Sequence, residues 1–246
     1  MLEGVSVIIP CYNAAKYIRQ AIESVLGQQY DGPLEVLVAD DGSTDGSYEI
    51  AESFGAPVRM LPKPPGTERG TPIALNRGVL AATQPFLAIL EADDVLLPGH
   101  LLALGKVLTA RPELGLVYDD SYIMTEDGQL IGPWDDRKHP DVLTPDDLLP
   151  ASRFGACSVM VRRSVFDRVG LFDETLRHSE DHDMWLRIIE QFPAAHVPGF
   201  GFKYRMHANQ KSLKPTLWEG AERVLAKACQ RYPYRRSAVR RRKAVI

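Results

Sequence analysis

An α/β fold, built on a mostly parallel twisted sheet with helices on both faces, is what this sequence predicts. Three observations lead there. Short β-branched apolar runs alternate with segments of helical period through about residue 119, the order a parallel sheet with crossover helices requires. Gly and Pro punctuate the junctions, as expected where the chain turns. Acidic and Gly-rich segments fall where the strands end, and ligands of open parallel sheets sit at those ends.

The elements follow in order. Residues 5–9 form a buried strand closed by Pro10. Asn13 is placed to cap the next helix, whose apolar positions Ala14, Ile18, Ile22, Val25 and Leu26 recur at helical spacing. Gly32-Pro33 breaks the chain before a second strand at 34–39; the Asp40–Gly46 loop then leads into a helix carrying Tyr48, Ile50, Ala51 and Phe54. A third strand is expected at 57–61, a Pro- and Gly-rich loop at 62–72, a short helix at 72–83, a fourth strand at 86–90 and a helix after Pro98. Residues 120–155, rich in Asp and Pro without a clear period, read as a long connection over the site. A strand at 158–161, helices at 163–169, 181–191 and 216–230, and a solvated basic tail complete the reading.

At 246 residues, 45% apolar and 25% charged, the chain has room for one sizeable domain of ordinary soluble composition. Its three cysteines, Cys11, Cys157 and Cys229, are far apart and form no CxxC, so neither a disulfide framework nor a structural zinc site is expected. No basic leader region precedes the first strand, and no apolar run reaches the 18 or so residues of a membrane span. A cytoplasmic protein is the expectation. Of the 29 Lys and Arg, seven lie in residues 231–246, which hold no acid; the body carries 22 basic against 32 acidic residues. So acidic a body is no nucleic-acid binder. The tail invites peripheral contact with the anionic inner face of a membrane.

Glu91-Ala92-Asp93-Asp94 crowds three carboxylates after an apolar strand. They repel unless a cation or donor array sits among them, and Mg²⁺ or Mn²⁺ takes carboxylate and phosphate oxygens together. VSVIIPCYN, VLVADDGSTD, FLAILEADD, HSEDHDMWLRI and YRMHANQKS stand in the order and approximate spacing of family 2 of the inverting glycosyltransferases. The resemblance covers roughly residues 4–212 and implies the GT-A fold, a Rossmann-like sheet with a smaller acceptor-side region and a C-terminal helix.

Carried over residue by residue, the resemblance implies a reaction and a site. A sugar moves with inversion from a nucleoside diphosphate, most simply UDP, to a hydroxyl of a glycan or lipid-linked acceptor. Asp93 ligates the metal and Glu91 faces the donor ribose, a Glu where the family usually has Asp. Pro10, Tyr12, Asn13, Asp41 and Asp40 grip a uracil-like base; a carboxylate can read the imide N–H that cytosine lacks. Ala74-Leu75-Asn76-Arg77 lacks the family's Arg, so Arg69 or Arg77 takes the phosphate contact. Asp181 is the general base and Glu180 its acceptor-side neighbour. His207 approaches the metal, and Arg205 offsets diphosphate charge. Residues 1–119 would then bind the nucleotide sugar, 120–214 the acceptor, and 215–246 would add the helix and tail.

Other classes fit less well. A sugar nucleotidyltransferase needs a Gly-rich, basic loop after the first strand, and an oxidoreductase needs GxGxxG there; Pro10-Cys11-Tyr12-Asn13 is neither. A non-catalytic nucleotide- or carbohydrate-binding protein stays open through the Glu91 and Leu75 departures. His178 and His182, four apart, lack an HExxH frame and read as surface residues, and Trp185 reads as core.

Overall fold

A computed structural model of the chain describes residues 2–135, 139–140, 142–208, 210–211 and 217–246. Ten strands form one sheet: β1 Val5–Cys11, β2 Leu34–Asp40, β3 Val58–Leu61, β4 Phe86–Ile89, β5 Val95–Leu96, β6 Leu116–Met124, β7 Leu130–Pro133, β8 Val142–Leu143, β9 Val159–Arg162 and β10 Ala194–Arg205. Helices α1 Ile18–Leu26, α2 Ser47–Glu52, α3 Thr71–Ala81, α4 His100–Ala110, α5 Pro145–Leu148, α6 Phe166–Val169, α7 Glu180–Ile189, α8 Leu217–Arg231 and α9 Arg236–Val245 join them. The sheet order is β3-β2-β1-β4-β9-β6-β10-β5, with β7 beside β6 and β8 beside β10.

Period-two alternation along β1 explains the layering. Val5, Val7, Ile9 and Cys11 pack on one face with buried residues of α1 and α4. Ile8 faces the other side with Leu75 and Val79 of α3 and with residues of α7 and α8. Successive strand side chains point to opposite faces, so a strand covered twice must be apolar throughout. Gly78 lets α3 sit close on β1, because a Cβ there would meet Ile8 Cγ2 at 2.3 Å.

The sheet is wholly parallel only in its first half; in the second, β10 pairs in parallel with β6 but β9 breaks the pattern. β1 pairs in parallel with β2 and β4, and β2 with β3. β9 then runs antiparallel to both β4 and β6. A parallel return needs a long crossover, and the chain between β6 and β9 carries no helix longer than the four residues of α5 among those described.

Three expectations change. Residues 120–155 hold most of β6, all of β7 and β8, and α5. The twelve-residue β10 was not expected at all: its core positions are interrupted by Pro198 and by register shifts between His196, Phe200 and Phe202, which hide the alternation. The basic tail is no solvated end, since α9 buries Ala238 and Arg242 against the body and leaves its other basic residues outward. The expected boundary at 214–215 and the helix start at Thr216 lie outside the described residues. No described helix is long and apolar enough to cross a membrane.

Candidate active site

The carboxyl ends of β1 and β2 carry the first group. Asn13 does not cap α1, which starts at Ile18 with Tyr17 as its N-cap residue. It sits instead at φ 49°, a left-handed conformation Asn tolerates. From there its Oδ1 accepts from Thr44 N at 2.9 Å, and its own N donates to Ser43 Oγ at 3.0 Å. Asn13 thus ties the loop after β1 to the loop after β2. Asp40 completes that second loop, accepting from Gly42 N at 2.9 Å and from Ser43 N. Pro10 is buried within β1.

Asp41 behaves differently from Asp40. Its Oδ2 accepts from Gly70 N at 2.7 Å, fixing the loop before α3. Its Oδ1 is buried without a hydrogen-bond donor, 3.9 Å from Arg77 Nη1. Burial raises the Asp41 carboxyl above its ordinary range, against the Gly70 amide and the Arg77 charge. Arg77 also donates to Asp40 O at 2.5 Å. Tyr12 is 47% exposed. Arg69 donates to its hydroxyl and lies 4.7 Å over its ring, a cation–π arrangement.

The second group lines a pocket of about 650 Å³. Glu91, Asp93 and Asp94 come from the loop after β4, and Glu180 and Asp181 from the start of α7; all five line this one pocket. Asp94 is buried and holds this loop in place, accepting from Arg205 N at 2.8 Å and from Cys157 Sγ at 3.2 Å. Asp93 Oδ2 lies 2.8 Å from His207 Nε2, although 114 residues separate the two. Burial, followed by the Asp93 charge, pushes the Glu91 carboxyl well above its usual range. That crowding, with a carboxylate oxygen and an imidazole nitrogen converging at its edge, is a donor set that fits a divalent cation.

Asp181 Oδ1 accepts from His182 N at 2.8 Å. Glu180 pairs with Lys211 Nζ at 2.5 Å, and the same Nζ lies 3.2 Å from Thr71 Oγ1. Lys211 therefore bridges the N-termini of α7 and α3. Burial raises the Glu180 carboxyl, with Lys211 opposing it.

The Arg205 guanidinium is buried and donates to Asp93 O at 2.7 Å, Glu126 O at 2.8 Å and Gln20 Oε1 at 2.6 Å, so each of its three nitrogens is engaged in holding the Asp93 loop. His178 and His182 are buried rather than on the surface. His182 Nε2 is 3.0 Å from Leu148 O, and burial with the nearby Arg242 charge lowers its pKa to about 3. Trp185 is core, edge-on to Phe172.

The pocket unites Glu91, Asp93, Glu180 and Asp181, while Pro10, Tyr12, Asn13, Asp40, Asp41, Arg69 and Arg77 lie outside its wall. The two described Lys and Arg residues that line the pocket, Lys211 and Arg242, carry no signal that marks them in the sequence as site residues. Lys211 stands in the YRMHANQKS segment but carries no pattern of its own. Arg242 hid among six other basic residues of the tail; the helical face of Ala238, Val239 and Arg242 signals only that this helix packs.

Solved structures share this architecture. TarS 1–349 of S. aureus, in complex with UDP-GlcNAc, superposes with TM-score 0.74 at 16% identity, over 96% of this chain and 69% of that one. A mannosyltransferase from Pyrobaculum calidifontis, in complex with GDP-Man and Mn²⁺, gives 0.71 at 20% identity, over 98% and 69%. At such identities the likeness is one of fold, and the fold is that of the GT-A glycosyltransferases. The family model for glycosyl transferase family 2 matches residues 6–170. The chain belongs to that family. An uncharacterized glycosyltransferase of Rickettsia prowazekii is 29% identical over 235 residues, 91% of this chain and 73% of the relative. One from Rickettsia bellii is 33% identical over 85% of this chain and 31% of its own length. The chondroitin synthase of Pasteurella multocida is 27% identical over 85% and 21%. The chain thus spans about a third of the length of several curated relatives it matches and 73% of others.

Proposed function

We propose that the chain transfers a sugar, with inversion, from a nucleoside diphosphate, UDP first among them, to a hydroxyl of a glycan or lipid-linked acceptor. The observation that carries this reading is that Asp93 and Asp181, from segments 88 residues apart, line one pocket. Residues 1–119 bind the donor, 120–214 form the acceptor side, and 215–246 close the pocket from outside.

On the donor side, Asp41 Oδ1 is a buried acceptor without a donor. A uracil imide N–H supplies what it lacks, and leaving such a group unpaired costs about 1–3 kcal/mol. Tyr12 offers the base a ring face, and Glu91 faces the ribose. Arg69, within reach of Tyr12, takes the diphosphate in preference to Arg205. Asp93 and His207 hold Mn²⁺ or Mg²⁺. When bound, such a cation neutralises the charge developing on the departing diphosphate.

On the acceptor side, Asp181 takes the proton as the acceptor hydroxyl attacks the anomeric carbon from the face opposite the leaving group. Glu180, held by Lys211, stands beside it to orient the acceptor. Arg242 lines the same pocket, and the Asp181 charge acts on it.

Calorimetric titration with UDP, with Mn²⁺ and then with EDTA, tests the reading. Metal-dependent binding that Asp93→Ala weakens and Asp181→Ala spares is expected. Failure of both UDP and dTDP to bind with metal present removes the donor assignment. Arg236, Arg240, Arg241 and Lys243 face outward from α9, which suits a lipid-linked acceptor at an anionic membrane. Because α9 also packs Arg242 into the pocket, neutralising Arg236, Arg240 and Arg241 to Gln is a cleaner test than deletion. Unchanged sedimentation with anionic liposomes would end the membrane reading.

A further inference from the structure

Away from the Asp93–His207 pair, a second set of metal-type ligands comes together on β6, β10 and the segment between β7 and β8. Asp120 Oδ1 lies 2.9 Å from His196 Nε2 and 3.3 Å from His139 Nε2. The two imidazoles stack with centroids 4.4 Å apart. One ligand atom from each of the three residues lies within 4.8 Å of the others, and all three are half-buried. No other such trio occurs among the described residues.

We propose that Asp120, His139 and His196 form a zinc-type site, separate from the donor-side metal, that clips His139 onto β6 and β10. The geometry suits a four-coordinate ion. Ligands about 2.0–2.1 Å from a tetrahedral zinc stand about 3.3 Å from one another, close to the separations of the two imidazoles from the Asp120 oxygen. The chemistry also discriminates. Two imidazoles and a single carboxylate favour Zn²⁺ over Mg²⁺ or Ca²⁺, which prefer all-oxygen shells. Three protein ligands leave a fourth position for water, which half-burial permits.

The surroundings support the ligands. Tyr118 OH lies 3.3 Å from His139 Nδ1, the ring nitrogen turned away from Asp120. Such outer contacts fix the orientation of a ligating imidazole. The Tyr118 ring stacks on Phe154 at 4.2 Å, and Phe154 lines the pocket, as does Trp134 just after β7. Asp135 and Arg153 both act electrostatically on His139, with opposite sign, so the charge around the cluster is mixed. The β10 register shift that begins at His196 lies at the cluster, where a strand irregularity re-aims a side chain. The clip would thus hold the acceptor-side wall of the pocket without touching the donor.

Metal retention tests this independently of transferase activity. The full chain is stripped with EDTA, loaded with Zn²⁺, desalted, and its bound metal counted by mass spectrometry. About one Zn²⁺ per chain is expected in the wild type and in Asp93→Ala. His139→Ala, His196→Ala and Asp120→Asn should lose it, with their fold checked by circular dichroism. Tyr118→Phe should weaken zinc affinity about tenfold or more. Cobalt in the wild type should give the intense visible bands of a four-coordinate ion, displaced by zinc. If the wild type retains no zinc, or if folded Asp120→Asn and His196→Ala retain it in full, the site does not exist. Loss in Asp93→Ala alone would place the ion at the other pair and overturn the proposal equally. Should the ligand variants not fold, weak six-coordinate cobalt bands in the wild type would decide against it.

Discussion

The first half and the second half of this sheet are built by different rules. From β1 to β4 the strands pair in parallel, and the contacts that shape the site join loops about thirty residues apart: Asn13 with Thr44, and Asp41 with Gly70. Across β6, β9 and β10 the pairing is mixed, and the contacts reach 114 residues from Asp93 to His207 and 112 from Arg205 to the Asp93 carbonyl. The first half is a local solution repeated strand by strand. The second exists only once the sheet has closed. The loops after β1 and β2 are therefore set by their own neighbours, and the Asp93–His207 pair rests on long-range closure.

The largest effect is expected at Asp181. Asp181→Asn should cut transfer by about 10²–10⁴-fold, the usual contribution of a positioned base, while UDP affinity measured by calorimetry stays near wild type. Equal loss of both would mean the halves are not separable. Next in size is the α3–β1 contact. Gly78→Ala forces a Cβ against Ile8 at 2.3 Å, and overpacking of this kind costs about 1–3 kcal/mol. Urea denaturation should show the loss; an unchanged midpoint would mean that α3 shifts freely on β1.

A pH measurement probes the acceptor side. His182 is neutral in the fold, with a pKa of about 3, against about 6.5 in an unfolded chain. Below about pH 6.5 the unfolded chain binds a proton that the folded chain refuses. Stability from this residue is thus complete above that pH and falls toward pH 3 by about 1.4 kcal/mol per unit. Glu91 and Asp94, raised in the fold, act with the opposite sign. The difference between wild type and a folded His182→Gln therefore isolates the histidine, and parallel stability curves from pH 6 to 4 would contradict its burial as a neutral group.

The smallest effect belongs to Asp41. Asp41→Asn keeps the shape but offers the base a choice of carbonyl or amide at Oδ1, and UDP affinity should fall by about 1 kcal/mol, or about fivefold. CDP, which lacks the imide N–H, should bind the variant at least as well as the wild type. A variant that still prefers UDP as strongly as wild type would show that another group reads the base.

Much of the sheet's first half is legible because its signals are local. The VSVIIP and VLVADD runs read as buried strands without reference to anything else, and an acidic loop after a strand points to a ligand by position alone. Asp40 and Asp41 show where legibility stops. They are chemically identical neighbours, yet one carboxylate is tied to the amides of its own loop and the other keeps an oxygen without a donor. β10 was missed because Pro198 and two register shifts break its alternation. The charge of Arg205 is visible in sequence, whereas its three hydrogen-bond partners are not.

Sequence by itself determined the alternation of strand and helix, the acidic ends of β2 and β4, and the acid-rich first turn of α7, since each depends on residues a few positions apart. Tertiary structure decided which acid meets which base. It brought Asp93 to His207, Glu180 to Lys211 and Arg242 to the pocket, and gathered Asp120, His139 and His196 on one patch. The physical reason is that side-chain direction is set locally by the backbone, whereas side-chain company is set by the packing of distant segments, and no spacing in the chain records it.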